Sequence, residues 1–186
     1  MSIITIVPPV SEPVSLAEAK LFLRVDHSAE DEFIQLLIVA AREAVEAAIG
    51  RALITRRVRE SLDIWVREAA QGAVLGLGPV TNVVAVRLLA DNGSQSVLDP
   101  ERYRLDGHRD RPRLVFASGV PATLRQIGGI EIEYECGFAE EAGELPVALR
   151  LATLQIVASL YELRQGEAGI PETARALMRP FAPARL

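Results

Sequence analysis

The side chains of this chain that could carry chemistry are few, and their spacing works against them. There are two histidines, His27 and His108. They stand in separate polar turns with no second ligand motif beside either, so each reads as a solvated turn residue. The single cysteine, Cys136, precedes Gly137 at a strand end. A nucleophilic thiol needs an activating partner; without one, Cys136 reads as buried or idle. One cysteine also excludes an intrachain disulfide and a cysteine-based metal site, and suggests a reducing compartment. Glu140, Glu141 and Glu144 could hold a cation, but their spacing matches no calcium loop. Gly76-x-Gly78 and Gly128-Gly129 lack the context of a phosphate loop. Arg102, Arg104, Arg109, Arg111 and Arg113 could touch phosphate or an acidic partner; Asp106 and Asp110 partly neutralise them, which favours a solvated hairpin. The expectation is a protein with no catalytic residue, no metal and no cofactor.

If chemistry does not organise the chain, its elements must. Asp31–Ile49, DEFIQLLIVAAREAVEAAI, reads as one long helix. Ser28 and Asp31 approach a capping box at its start, and Gly50 can take the left-handed conformation of a C-cap. At 1.5 Å per residue the helix is about 30 Å long. On a helical wheel Asp31, Glu32, Gln35, Arg42, Glu43 and Glu46 share one sector about 120° wide. The remainder is apolar, roughly twice the stripe a surface helix needs. Two covers are open: the chain's own sheet with a second helix, or a neighbouring subunit.

Around it the signals run in order. Three prolines keep residues 1–14 extended and without regular helix. Ser15-Leu-Ala-Glu18 is a capping box and opens a short helix over residues 16–24. After Gly50 the pattern changes to strands: about 55–64, 80–89, 97–98, 103–105, 113–116 and 127–135, with a further short one at Val74-Leu75. Asp91-Asn92-Gly93-Ser94 predicts a type I′ hairpin. Ile130, Ile132 and Tyr134 alternate with Glu131, Glu133 and Glu135, a half-buried strand with an acidic outer face. Pro146 marks the N1 position of a helix over 147–164. Five glycines and prolines punctuate residues 166–186, which read as a tail with at most one short helix, 172–178. The fold class is therefore α+β: an α-helical body of one short and two long helices, an antiparallel β region inserted at about 54–135, and an extended C-terminal tail. Residues 1–165 form a single domain in this reading.

Composition narrows the partners. The chain has 186 residues, and its net charge is −5. That argues against a general nucleic-acid binder, which needs a basic surface to displace counterions. Of 20 basic residues only Lys20 is a lysine. No apolar run reaches the ~18 uninterrupted residues of a membrane span, and MSIITIVPPV lacks the basic start of a secretory signal.

Three stretches carry a family resemblance. PVSLAEAKLFLRVD is followed by an acidic turn and a long helix ending AAIGRALITR. IEIEYECGFAE leads into LPVALRLATLQIVASLYELR. The chain then closes on IPETARALMRPFAPARL. Together and in this order they resemble the head–tail connector (adaptor, or head-completion) proteins of tailed bacteriophages, prophages and phage-like gene transfer agents. The resemblance implies a structural ring of about twelve copies, built by head-to-tail contacts. The ring sits between the capsid portal and a tail or stopper protein and continues the DNA channel without sequence-specific binding. It implies a place in the neck of a virion or phage-like particle, assembly in the bacterial cytoplasm, and no enzymatic activity. On this reading Phe33, Leu37, Val45, Leu149 and Ile156 pack subunits together. Asp31, Glu43 and Glu46 face the lumen, where negative charge lets DNA slide. Leu177, Arg179, Phe181, Arg185 and Leu186 dock on the portal, aromatic and arginine side chains being the usual anchors. Two other readings stay open: another neck or tail-terminator layer protein, and a small α+β ligand-binding domain or enzyme.

Overall fold

Capping chemistry explains the helical part of the chain. In a computed structural model, which describes residues 2–63, 72–107, 112–117, 124–163 and 169–183, the first helix, α1, spans Leu16–Leu23. Ser15 Oγ accepts the Glu18 N–H at 3.2 Å, and Glu18 Oε2 accepts the Ser15 N–H at 2.8 Å. That backbone hydrogen bond is the main reason the Glu18 carboxyl is held below the usual carboxylate range. The second helix, α2, has the predicted bounds, Asp31–Ile49, and ends on Gly50 with φ +64°. Its start differs from expectation. Glu30 is the N-cap and no side chain caps the helix; Ser28 contributes only its carbonyl, which accepts the Asp31 N–H. The third helix, α3, spans Val147–Glu162, with Pro146 at the N-cap rather than N1. The fourth, α4, spans Glu172–Met178 and runs into a 3-10 turn, Arg179–Phe181.

The chain divides into two compact units. The helical unit is Pro9–Thr55 with Phe138–Leu186, and the β unit is Met1–Pro8 with Arg56–Gly137. In the helical unit α2 packs against α1, α3 and α4, so three helices cover its wide apolar face. Ile34, Leu37, Ile38, Ala41, Val45 and Ile49 share one core with Leu149, Ala152, Ile156 and Val157 of α3 and with Ala174 and Met178 of α4. The short helix expected within the tail is present as α4, and this part of the tail packs on the core of its own unit. Ala174, Leu177, Met178 and Phe181 recur at i, i+3, i+4 and i+7, the spacing of one helix face. Ala174 and Met178 are buried, and Leu177 and Phe181 pack against the core. The Phe181 ring meets Phe138 edge-on at 5.9 Å.

The β unit contains strands β1 (Ser2–Val7), β2 (Arg56–Leu62), β3 (Ala73–Val74), β4 (Val80–Leu89), β5 (Gln95–Val97), β6 (Tyr103–Asp106), β7 (Arg113–Phe116) and β8 (Ile130–Cys136). They form a five-stranded antiparallel sheet in the order β1-β2-β8-β4-β5 and a three-stranded sheet β3-β7-β6. The segment expected to be merely extended at the start of the chain supplies β1. Between β4 and β5 the turn is not type I′, which needs positive φ at both central residues. Here φ is positive at Gly93 (+83°) but not at Asn92. Asp91-Asn92-Gly93 forms a three-residue loop instead, with the Gly93 N–H donating to the Ala90 carbonyl and the Ala90 N–H to the Ser94 carbonyl.

Strand β8 lies between β2 and β4, so neither of its edges is free. One face carries Ile130, Ile132, Tyr134 and Cys136 into the core with Val58, Val86 and Leu114. The other face is the expected acidic one, and it is not left to solvent. Register sets Arg59 opposite Glu133 and Arg57 opposite Glu135. Arg87 of β4 donates to Glu133 at 2.8 Å, Arg59 reaches it at 3.5 Å, and Arg57 donates to Glu135 at 2.9 Å. Glu133 is buried as a result. The Arg87 hydrogen bond is the chief cause holding its carboxyl below the usual range, and Arg57 does the same for Glu135.

On the core face Glu60 is fully buried. It accepts the Tyr134 hydroxyl at 2.8 Å and the Gly76 N–H at 3.0 Å. Burial raises the pKa of both Glu60 and Tyr134.

These shifts have opposite signs in a pH titration. A carboxyl held low in the folded state contributes stability above its unfolded pKa and loses it as pH falls. Glu60, held high, gains stability in the same direction. Glu133→Gln is expected to lower unfolding stability at pH 7 by about 2 kcal/mol. That is less than the ~3–5 kcal/mol of a fully buried broken pair, because the arginines reach water. Urea denaturation at pH 7 and near pH 4 checks this: the variant should lose less stability than the parent on acidification.

Candidate assembly surfaces

Among the described residues no group of three or more His, Cys, Asp or Glu side chains is placed to hold a metal ion. No helix there is long and apolar enough to cross a membrane. His27 is exposed beside Glu30, its Nε2 3.9 Å from the carboxylate. Cys136 is buried in β8. Arg113 donates to Asp106 at 3.0 Å. His108, Arg109, Asp110 and Arg111 lie outside the described residues.

The residues assigned to subunit packing lie inward. Leu37, Val45, Leu149 and Ile156 are buried in the core of their own unit. Phe33 is half-buried against it, its ring 6.3 Å from Tyr161. The four buried side chains hold one copy together, while Phe33 keeps part of its surface exposed. Among the described residues, the large apolar side chains the helical unit exposes are others: Val10, Leu21, Phe22, Leu36, Val147 and Leu163.

The three lumen candidates separate. Glu43 is exposed. Asp31 is half-buried and accepts from Lys20 Nζ at 2.6 Å. Glu46 is buried, contrary to the wheel, because its sector turns toward the start of the chain and the exit of α2. Arg42 Nε donates to Glu12 at 2.8 Å, Arg42 NH1 donates to Glu46 at 3.2 Å, and the other Glu46 oxygen accepts the Leu53 N–H at 2.9 Å. Burial is the largest single influence and opposes the Arg42 charge, but the Glu12 hydrogen bond and the nearby charges of Glu12, Glu46 and Glu43 together outweigh it, and the guanidinium is held above its ordinary range. Nothing in the residue type announces this; the only sequence signal is Arg42 and Glu46 at i, i+4.

The tail candidates separate too. Leu177 and Phe181 are half-buried on the core. Arg179 is exposed and lines a pocket of about 410 Å³ together with Ile49, Glu172, Arg175 and Met178. Arg185 and Leu186 lie outside the described residues.

With this geometry the chain can be set beside known proteins. It is similar over 100% of its length to a chain, of which 97% is covered, in the virion of a native gene transfer agent particle, at 28% identity and TM-score 0.85. It is also similar to chains from two necks of such particles. One is the empty particle, computed with C6 symmetry (27% identity, TM-score 0.82). The other is the native particle, computed with C12 symmetry (28% identity, TM-score 0.73). Each neck match again covers 100% of this chain and 97% of the other. The fold is thus one shared with chains in the virion and neck of gene transfer agent particles. Residues 13–76 match the phage gp6-like head-tail connector proteins; that stretch holds α1, α2, β2 and β3. No curated protein matches the chain.

The split between Glu43 and Glu46 is testable in the isolated protein. Glu43→Lys should leave stability within about 0.5 kcal/mol. Glu46→Lys should lower it by about 3 kcal/mol or more, since it removes the acceptor for Leu53 and sets a second cation against Arg42. Thermal melts of the two variants check the order.

Proposed function

We propose that this chain is a structural neck protein of a phage-like particle, one copy of a ring that joins the capsid portal to the tail. The observation that carries the reading is the fold likeness over the whole chain to gene transfer agent neck and virion chains, at 28% identity and TM-score 0.85. The connector match over residues 13–76 agrees with it. So does the use of charge in the described residues: the buried carboxylates Glu46, Glu60 and Glu133 hold structure together rather than converge on a cleft.

The finer parts of the proposal are these. The ring has twelve copies, the symmetry used for one of the matched necks. Its contacts are head-to-tail between unlike patches of each copy. The portal lies on one side and a tail or stopper protein on the other. DNA passes through a lumen that the net charge of −5 keeps from binding phosphate. Glu43 is the lumen carboxylate. Arg179, Arg185 and Leu186 dock on the portal, while Leu177 and Phe181 anchor that segment to its own core. The ring is assembled in the bacterial cytoplasm and is not an enzyme.

Mass photometry of the protein mixed with purified portal, with each alone as control, tests this. The expected product is a portal carrying a stacked ring. Binding to tail proteins but not to portal would move the chain to another neck layer. Arg179→Glu with Arg185→Glu should weaken portal binding by at least about tenfold, or ~1.4 kcal/mol, with an unchanged melting temperature. Unchanged affinity would remove those residues from the docking surface.

A further inference from the structure

The five-stranded sheet has two edges, β1 and β5. Strand β1, Ser-Ile-Ile-Thr-Ile-Val, has no charge and no proline, and Ile3, Ile4, Ile6 and Val7 are all exposed. Its backbone pairs with β2 on one side. The outer side has no backbone partner among the described residues. Proteins ordinarily blunt such an edge with lysine, proline or a bulge, because it is a template for another strand. Here the only such feature is a slip in the pairing between Thr5 and Val7, which leaves Ser2–Thr5 as the regular run.

We propose that β1 is an intersubunit strand, its outer edge completed by β5 of a neighbouring copy; this rests on the ring reading above. A ring of more than two copies joins unlike surfaces, since a patch that met its own twin would close as a dimer. The cover for β1 is therefore a different edge of the same chain. Strand β5, Gln95-Ser96-Val97, is uncharged and exposed throughout. Its length suits the regular run of β1. The other edges fit less well: β6 carries Arg104 and Asp106, and β3 is only Ala73–Val74.

The faces also agree. Register runs from Ile4 to Arg59, Glu133 and Ala85, and Arg87, two residues on, faces Val97. Ile4 and Val97 thus leave the same face of the sheet, at opposite edges. They are 53% and 69% exposed in one copy. Pairing the two edges in the register that sets Ile4 opposite Val97 makes them a cross-strand pair.

The experiment uses the full-length chain with the photoreactive residue p-benzoylphenylalanine at Ile4, irradiated in assembled particles. The expected result is a ladder of multimers of this chain, with the link mapping to the peptide that holds Gln95–Val97 of another copy. A link to another polypeptide, a link elsewhere in this chain, or no link overturns the assignment. Imaging the neck of the same particles reads the ring itself. A missing ring sinks the connector reading, whereas a ring with Ile4 unlinked sinks only the edge assignment. As a second variant, Ile4→Lys should cut ring assembly at least tenfold. Its melting temperature should stay within about 2 °C of the parent, because the site is exposed. Undiminished assembly overturns the proposal.

Discussion

The helical unit depends on one buried carboxylate. Glu46 sits in the last turns of α2 and spends its two oxygens on Arg42 and on the Leu53 N–H, while Arg42 reaches on to Glu12. A buried charge is tolerated only when paired and fully hydrogen-bonded. This one therefore fixes three things at once: the rotation of α2, the path of the chain before α1, and the place where the chain leaves α2. The apolar side chains then fill a geometry that is already specified. That is why α2 can be apolar over most of its surface and still pack in one orientation against α1, α3 and α4.

The β unit solves a comparable problem with a strand. β8 is paired on both edges, and its two faces have opposite chemistry. One meets an apolar core, and the other meets arginines that neutralise a row of glutamates. The buried Glu60 and Tyr134 pair on the core face is the polar exception. It ties β2 and β8 to the loop at Gly76 and Leu77 through hydrogen bonds rather than ions.

Much of this was legible in the residues. The bounds of α2, the capping box at Ser15, β4 and β7 follow from periodicity and punctuation, which are local. What the sequence hid is tertiary. Glu43 and Glu46 are chemically alike and share a helical sector, yet one is exposed and the other is a structural acceptor. The difference lies in Leu53 and Glu12, which sequence spacing does not bring near. Leu37, Val45, Leu149 and Ile156 were readable as apolar but not as facing one another. Glu60 stood in the inward register of β2, between Val58 and Leu62, and a stricter reading of alternation would have found it. The spacing of Ala174, Leu177, Met178 and Phe181 was equally visible, but nearby glycines and prolines pointed to a free tail. The proposed function was legible through resemblance rather than through any motif of reactive residues.

The pair between Lys20 and Asp31 reaches beyond its own small energy. Lys20 is the single lysine of the chain, and its ammonium is held against Asp31 at the start of α2. An acylating reagent needs the free, unprotonated amine, so side-chain modification of this protein reports on one contact alone. The rate of that reaction reports on how readily the Lys20 side chain leaves Asp31. The fold has in effect placed a single chemical clock at the junction of its first two helices.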